Sequence, residues 1–201
     1  MSTSLRDQYE VRRLKVLLPL AAALELHLKS LFEGWVRIDR INVRVKNTDR
    51  FIAKAAKTEA GAPKYSDPLQ QIQDQIGARI IGFFRQDIDE ISTQIEKYFR
   101  AIGARAIVPE SVSEFGYEGK HFVLLLPRDV FTDETPEDSV SFFELQLKTL
   151  FQHAWSEAEH DLGYKPTSEL NVEQRRRLAL TAAQAWGADN IFEDLHRTGA
   201  S

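Results

Sequence analysis

In the stretch 142–149, Glu144, Gln146 and Lys148 alternate with Phe143, Leu145 and Leu147. Successive side chains of a strand point to opposite faces, so the carboxylate, the amide and the cation share one face while the apolar residues share the other. A sheet that only holds a protein together has little use for three polar groups in a row on a strand whose other side is core. The row points to a ligand lying across the sheet, and its carboxylate could hold a metal or take a proton. Three other segments bring polar groups to strand ends. Arg44 and Lys46 stand two apart, so both cations fall on one face, in reach of phosphates or a purine ring; alone they are also what an ordinary edge strand carries. Asp74 precedes Gly77, read as a turn, and Arg79 opens a very apolar strand; the plain structural reading is a salt bridge between the two. Phe115 to His121 is a Gly-containing loop entering a strand, with Tyr117 either facing a ligand or covering the core edge.

His153, Glu157 and His160 follow at i, i+4 and i+7, one face of a helix and a spacing that suits Zn²⁺ or iron. A bridged metal pair needs a second such helix, which the sequence lacks, so Glu157 and His160 read as structural groups beside the cleft. Trp155 and Leu162 read as core. Arg175, Arg176 and Arg177 read as a solvated helix face, with contact to tRNA or another RNA as the alternative.

The elements that must position these groups follow from periodicity. Leu17, Leu20, Leu24, Leu28 and Leu31 recur every three or four residues and predict a long amphipathic helix over 5–34, kinked at Pro19. Asp7 and Glu10 in front of the apolar run argue against a signal peptide. Strands are expected at 41–46, 78–84, 104–108, 121–126 and 141–148. Helices are expected at 48–59, capped by Asn47 or Thr48, then at 87–101, 150–161 and 171–195. Loops fall at 109–120 and 129–138. The order predicts an α+β fold, a mixed sheet of about five strands flanked by helices, as one domain spanning 1–201 with a core at about 40–165 and helical ends at 5–34 and 171–195.

Composition narrows the classes. With 43% hydrophobic residues the 201-residue chain can bury a full core, and a net charge of -4 disfavours non-specific coating of nucleic acid. The absence of cysteine excludes disulfides, thiol catalysis and Cys-ligated zinc. No run has the length of a membrane span, and a cytoplasmic protein is expected.

Taken together and in order, the segments resemble the synthetase domain of the RelA/SpoT family, especially its small stand-alone members. The matching elements are Arg44 and Lys46; Asp74, Gly77, Arg79 and Ile80; Gly116, Tyr117 and His121; and Glu144, Gln146, Lys148 and Thr149. A tail also matches, with His153, Trp155, Glu157, Glu159, His160, Leu162, Tyr164 and Lys165. The resemblance implies a nucleotidyltransferase-like synthetase fold and transfer of the β,γ-pyrophosphate of ATP to the 3′-hydroxyl of GDP or GTP, giving (p)ppGpp and AMP. It implies Mg²⁺ held by Asp74 and Glu144, the latter also orienting or deprotonating the acceptor. Arg44 and Arg79 would sandwich adenine and Lys46 would meet the ATP phosphates. Tyr117 would stack on the acceptor base, His121 would meet its phosphates, and Gln146, Lys148 and His153 would line its side. It also implies a homo-oligomer, a tetramer by analogy, and no hydrolase half. The chain departs from the family pattern at Glu118 and Gly119, where a basic residue and Ser are common, with Lys120 a partial substitute for the lost cation. It departs again at Lys148, where Arg is usual, and at Val43, where Gly is frequent. The altered third element keeps open a toxin-type relative that modifies an adenine nucleotide or the tRNA 3′ end; a non-catalytic nucleotide-sensing module is a further alternative, disfavoured by the intact acid pair.

Overall fold

A computed structural model describes residues 4–106, 119–132, 139–163 and 170–199. Helix α1 (Leu5–Arg12) begins at Ser4, whose hydroxyl oxygen accepts from the Asp7 backbone N–H at 3.2 Å. It continues into α2 (Leu18–Leu31) through one π-helical turn at Arg13–Leu17. The irregularity expected at Pro19 thus falls one turn earlier. Proline has no N–H to offer the carbonyl four residues back, and its ring crowds that carbonyl. The chain widens the preceding turn instead, and Leu18 N–H bonds the Arg13 carbonyl five residues back.

Strand β1 (Ile38–Val45) leads to α3 (Thr48–Ala55), capped by Asn47, whose side-chain oxygen accepts from Asp49 N–H at 2.8 Å. The expected helix to residue 59 stops early because a small hairpin, β2 (Thr58–Glu59) and β3 (Ala62–Pro63), turns through Ala60 and Gly61, both at positive φ. Helix α4 (Pro68–Gln71) and a 3₁₀ turn at Gln73–Gln75 precede β4 (Ile76–Gly82). Then come α5 (Arg85–Tyr98), β5 (Ala101–Ala106), β6 (Lys120–Leu125), β7 (Phe142–Thr149), α6 (Leu150–Gly163) and α7 (Val172–Gly199). The described residues do not include Ile107 and Val108 at the end of the strand expected at 104–108, the loop through Gly116, Tyr117 and Glu118, the acidic residues 133–138, or Tyr164 and Lys165.

The five-stranded sheet runs β1-β4-β7-β6-β5; β4 and β7 are parallel and the other pairings antiparallel. This is the mixed α+β sheet expected from the order of elements. One face is core. Leu20, Leu24 and Leu28 of α2 and Ile88, Ile91 and Ile95 of α5 belong to one buried cluster with Ile80, Phe122, Leu124, Phe143, Leu145 and Leu147 of the strands. Full burial of each such side chain contributes about 1.5–3 kcal/mol. The N-terminal helix is tied to the end of β1: Tyr9 stacks on Phe51 with centroids 3.7 Å apart, and its hydroxyl donates to the Lys46 carbonyl at 2.9 Å. Burial raises the Tyr9 phenol far above its usual pKa, so it stays a donor. Among the described residues no helix is long and apolar enough to cross a membrane.

The strand-to-helix joint at β7–α6 is fixed by Thr149. Its hydroxyl oxygen accepts from Gln152 N–H at 3.1 Å, and the Gln152 side-chain oxygen accepts from Thr149 N–H at 2.9 Å, a reciprocal helix cap. The same hydroxyl donates to Asp189 Oδ2 of α7 at 2.5 Å, and Asp189 is buried. Thr149→Val removes both the cap and the bond to a buried carboxylate. The expected loss is about 2–4 kcal/mol, or a melting midpoint lowered by roughly 4–16 °C at about 2–4 °C per kcal/mol. Urea unfolding with the midpoint within error of wild type would contradict the assignment.

Candidate active site

The face of the sheet opposite the core carries the chemistry, and strand register lays it out in rows. Arg44, Gly77 and Glu144 stand abreast on β1, β4 and β7; two residues along, Asn42, Arg79 and Gln146 stand abreast, with His121 of β6 beside Gln146. Gly77, read from sequence as a turn, lies inside β4. It makes no bend because its pairing with both Arg44 and Glu144 is unbroken. A Cβ there would meet nothing within 4 Å, so the missing side chain leaves open space between the arginine and the carboxylate.

Asp74 reaches this space from the 3₁₀ turn before β4. Its Oδ2 takes Lys46 Nζ at 2.8 Å and Lys54 Nζ at 3.0 Å. Its Oδ1 is buried with no hydrogen-bond partner. Burial pushes the Asp74 carboxyl up, but the two ammonium groups outweigh it and hold it below the usual range. The sequence-based salt bridge between Asp74 and Arg79 is therefore replaced by two others, because Arg79 faces α6. Sequence pattern gives little sign of Lys54; its position three residues after the buried Phe51 on α3 is the only local hint that it borders the cleft.

Glu144 Oε1 lies 3.6 Å from His121 Nδ1. That histidine is the largest cause of the lowered Glu144 pKa, acting against burial and against the charge of Asp74. The two acids therefore sense each other, and both line one cleft of about 170 Å³ with Arg44, Lys46 and Arg50. An adjoining cleft of about 330 Å³ shares Arg44, Gly77 and Glu144 and extends to Arg79, Gln146, His153 and Glu157. His121 Nε2 and Gln146 Oε1 are, like Asp74 Oδ1, buried without partners. Three unpaired polar atoms on one side of one sheet are costly unless a ligand completes them.

At the far wall Arg79 Nη1 donates to Glu157 Oε1 at 2.6 Å and to His153 Nδ1 at 3.2 Å. Burial, then the Arg79 charge, lowers the His153 pKa, so the ring stays neutral and its Nδ1 can accept. Burial raises the Glu157 carboxyl, but the hydrogen bond and charge of Arg79 bring it below the usual range.

Two cations expected in the cleft are directed elsewhere. Lys120 pairs with Asp89 of α5 at 2.8 Å, on the core side of the sheet, because adjacent strand residues face opposite ways and His121 takes the cleft side. Lys148 is buried and donates to Ser156 Oγ of α6 at 2.8 Å; neither cleft includes it. Trp155 and Leu162 do not join the main core as the sequence suggested. They line an apolar groove between α6 and α7, where Trp155 Nε1 donates to Thr181 Oγ1 at 3.1 Å and Leu162 is 47% exposed. Arg175, Arg176 and Arg177 are exposed, as expected, and Arg177 pairs with Glu173 at 2.6 Å. Among the described residues no group of three or more His, Asp or Glu converges to hold a metal, so His153, Glu157 and His160 do not form the weighed zinc or iron site. Gly119 follows the segment outside the described residues. A Cβ there would lie 1.9 Å from the Leu147 carbonyl oxygen, so the serine common at this position in the family does not fit this backbone.

A row of acids and cations over one face of a sheet suits a polyanionic ligand, and comparison with known proteins assigns the family. The family model described as "Region found in RelA / SpoT proteins" matches residues 43–169, more than half of the chain. The chain belongs to the RelA/SpoT family. It is 29% identical over 163 residues to GTP pyrophosphokinase YjbM of Bacillus subtilis (strain 168), covering 79% of this chain and 72% of that one. The fold matches small alarmone synthetase 1 from Bacillus subtilis with a TM-score of 0.78 at 22% identity, over 96% of this chain and 98% of that one. The same synthetase bound to its product pppGpp superposes with a TM-score of 0.77 at 23% identity, over 97% and 100%.

Both acids have folded pKa values below their unfolded ones. Their contribution to stability is therefore full above about pH 4–4.5, the ordinary carboxylate range, and is lost as pH falls through the lowered values. Between about pH 5 and 3, unfolding free energy should drop more steeply for wild type than for the Asp74→Asn, Glu144→Gln double variant. Parallel slopes in urea titrations would contradict these pKa directions.

Proposed function

We propose that this chain transfers the β,γ-pyrophosphate of ATP to the 3′-hydroxyl of GDP or GTP, forming (p)ppGpp and releasing AMP. Membership of the RelA/SpoT family and the likeness to a named GTP pyrophosphokinase support the reading. The observation that carries it is the shared cleft in which ionised Asp74 and Glu144 face Arg44, Lys46 and Arg50, with an unpaired Asp74 oxygen and no side chain at Gly77.

That donor set fits Mg²⁺, which takes one or two carboxylates and completes its shell with water and substrate phosphates. Asp74 and Glu144 would hold it, and when bound it would spread the charge of the triphosphate and acidify the attacking hydroxyl. Around it the side chains divide the work. Arg44 and Arg79 take the two faces of the adenine, since guanidinium planes stack on rings. Lys46 and Lys54, paired with Asp74 in the free protein, turn to the phosphates together with Arg50. Glu144 orients the acceptor 3′-hydroxyl, whose oxygen bonds to the β-phosphorus as the bridge to the α-phosphate breaks and AMP leaves. The lowered Glu144 pKa makes it a weak base, so it passes the proton on to water. The unpaired His121 Nε2 and Gln146 Oε1 face the acceptor; the stacking role that the family resemblance implies for Tyr117 falls outside the described residues. His153 and Glu157 hold Arg79, Lys148 holds α6 through Ser156, and Lys120 braces α5 from the opposite face.

We also propose that residues 1–201 form one catalytic unit, working in the cytoplasm as a homo-oligomer. Leu180, Trp186, Ile191 and Leu195, exposed along α7, support the oligomer.

Incubation with γ-labelled ATP, Mg²⁺ and each acceptor in turn tests the transfer. Label should appear on GDP or GTP with stoichiometric AMP. Glu144→Gln should lower the rate by about 10²–10⁴-fold. Label on tRNA or on an adenine nucleotide, or no AMP at all, would overturn the assignment. Gly77→Val gives a separate check. Its Cβ enters open space, so the melting temperature should stay within about 2–4 °C of wild type, while binding of an ATP analogue is lost. Unchanged binding would show that the nucleotide does not lie over β4.

A further inference from the structure

The wall formed by Arg79, His153 and Glu157 contains more than is needed to hold a stacking arginine. Glu157 Oε1 is taken by Arg79 Nη1 at 2.6 Å, while Oε2 has no hydrogen bond among the described residues. The side chain is 54% exposed and lines the 330 Å³ cleft rather than turning into α6. An ionised carboxylate can only accept hydrogen bonds. Adenine and guanine differ at the 6-position in this respect: adenine presents an amino donor where guanine presents an oxo acceptor.

The other groups along this cleft do not make that distinction. Gln146 and Asn42 carry amides, which satisfy either base by rotating. Arg40, Arg44 and Arg79 are donors and by themselves would favour the oxo group of guanine. Glu144 is the remaining acceptor-only group among the described lining residues, and it stands one row away beside His121. If Arg79 stacks on the donor base, a carboxylate bonded to its guanidinium edge lies over the rim of that base, with its second oxygen free to reach the ring plane.

We propose that Glu157 selects the purine of the pyrophosphate donor, accepting from the 6-amino group of adenine through Oε2 and repelling the 6-oxo group of guanine. The inference rests on the proposed transfer reaction and on Arg79 as a stacking partner. It assigns a role on the donor side to an α6 residue whose spacing alone suggested only a structural or metal-binding group. The selection matters in a site whose acceptor is itself a guanine nucleotide: without it GTP would compete for both halves of the cleft.

The test compares ATP and GTP as donors at saturating GDP, scored by the monophosphate released, AMP or GMP. Wild type should favour ATP. Glu157→Gln should lower the ratio of kcat/KM for ATP to that for GTP by about 10- to 100-fold, chiefly through a higher KM for ATP. Glu157→Asp should restore part of the preference. A variant that loses both donors equally would show that Glu157 only holds Arg79, and an unchanged ratio would show that it does neither; either result overturns the proposal. Displacement of a fluorescent α,β-methylene ATP analogue by α,β-methylene ATP and by α,β-methylene GTP reads the same preference without turnover. If wild type releases no monophosphate, the transfer reading fails. The binding ratio of wild type against Glu157→Gln then still decides the present proposal.

Discussion

The arrangement depends above all on the pairing register across β1, β4 and β7. One row sets Arg44, Gly77 and Glu144 side by side, and the next sets Asn42, Arg79 and Gln146. A slip of one residue in either pairing would turn every polar side chain into the core and every isoleucine and leucine out to solvent. The buried face therefore enforces the order of the exposed one: Ile80, Leu145 and Leu147, each fully buried under α2 and α5, fix where the arginines and the carboxylate emerge. Fold and site are specified by the same alternation.

Within that frame the acids are paired before any ligand arrives, and the cleft keeps an excess of cations. Asp74 pairs with both Lys46 and Lys54, leaving one positive charge over; Glu157 pairs with Arg79, and His121 lies against Glu144. Beside these pairs three polar atoms are left over: an oxygen on Asp74, a nitrogen on His121 and the amide oxygen of Gln146. Paired charges keep the cleft soluble and correctly protonated, and the leftover valences are what a polyanionic ligand with a divalent cation can complete. The cap at Thr149 extends the logic to the C-terminal helix. Asp189 of α7 holds the hydroxyl that starts α6, and α6 in turn brings His153 and Glu157 to Arg79.

Much of this was legible in the sequence. Period-two alternation at 142–149 showed that Glu144 and Gln146 share a face, and the order of elements gave the mixed sheet. What escaped has physical reasons. Alternation separates Lys120 from His121 only once the strand is known to start at Lys120, one residue before the expected 121–126, and the lysine then falls on the α5 side. Gly77 reads as a bend in one dimension and becomes a gap in a strand only when its neighbours on β1 and β7 are known. The partners of Arg79 lie on α6, and those of Asp74 lie just after β1 and on α3, so no local spacing reveals them. The π turn at Arg13–Leu17 shows the same limit: the sequence marks Pro19 as trouble but not which turn absorbs it.

The central claim is that Asp74 and Glu144, far apart in sequence, share one divalent cation over Gly77. Electron paramagnetic resonance of Mn²⁺ as a stand-in for Mg²⁺, with a non-hydrolysable ATP analogue present, tests it directly. The account predicts one tightly held ion per chain, lost or greatly weakened by Asp74→Asn and by Glu144→Gln alike. An ion that survives the Glu144 change with its signal and affinity intact would contradict the account, because the two acids would then not meet on the same metal.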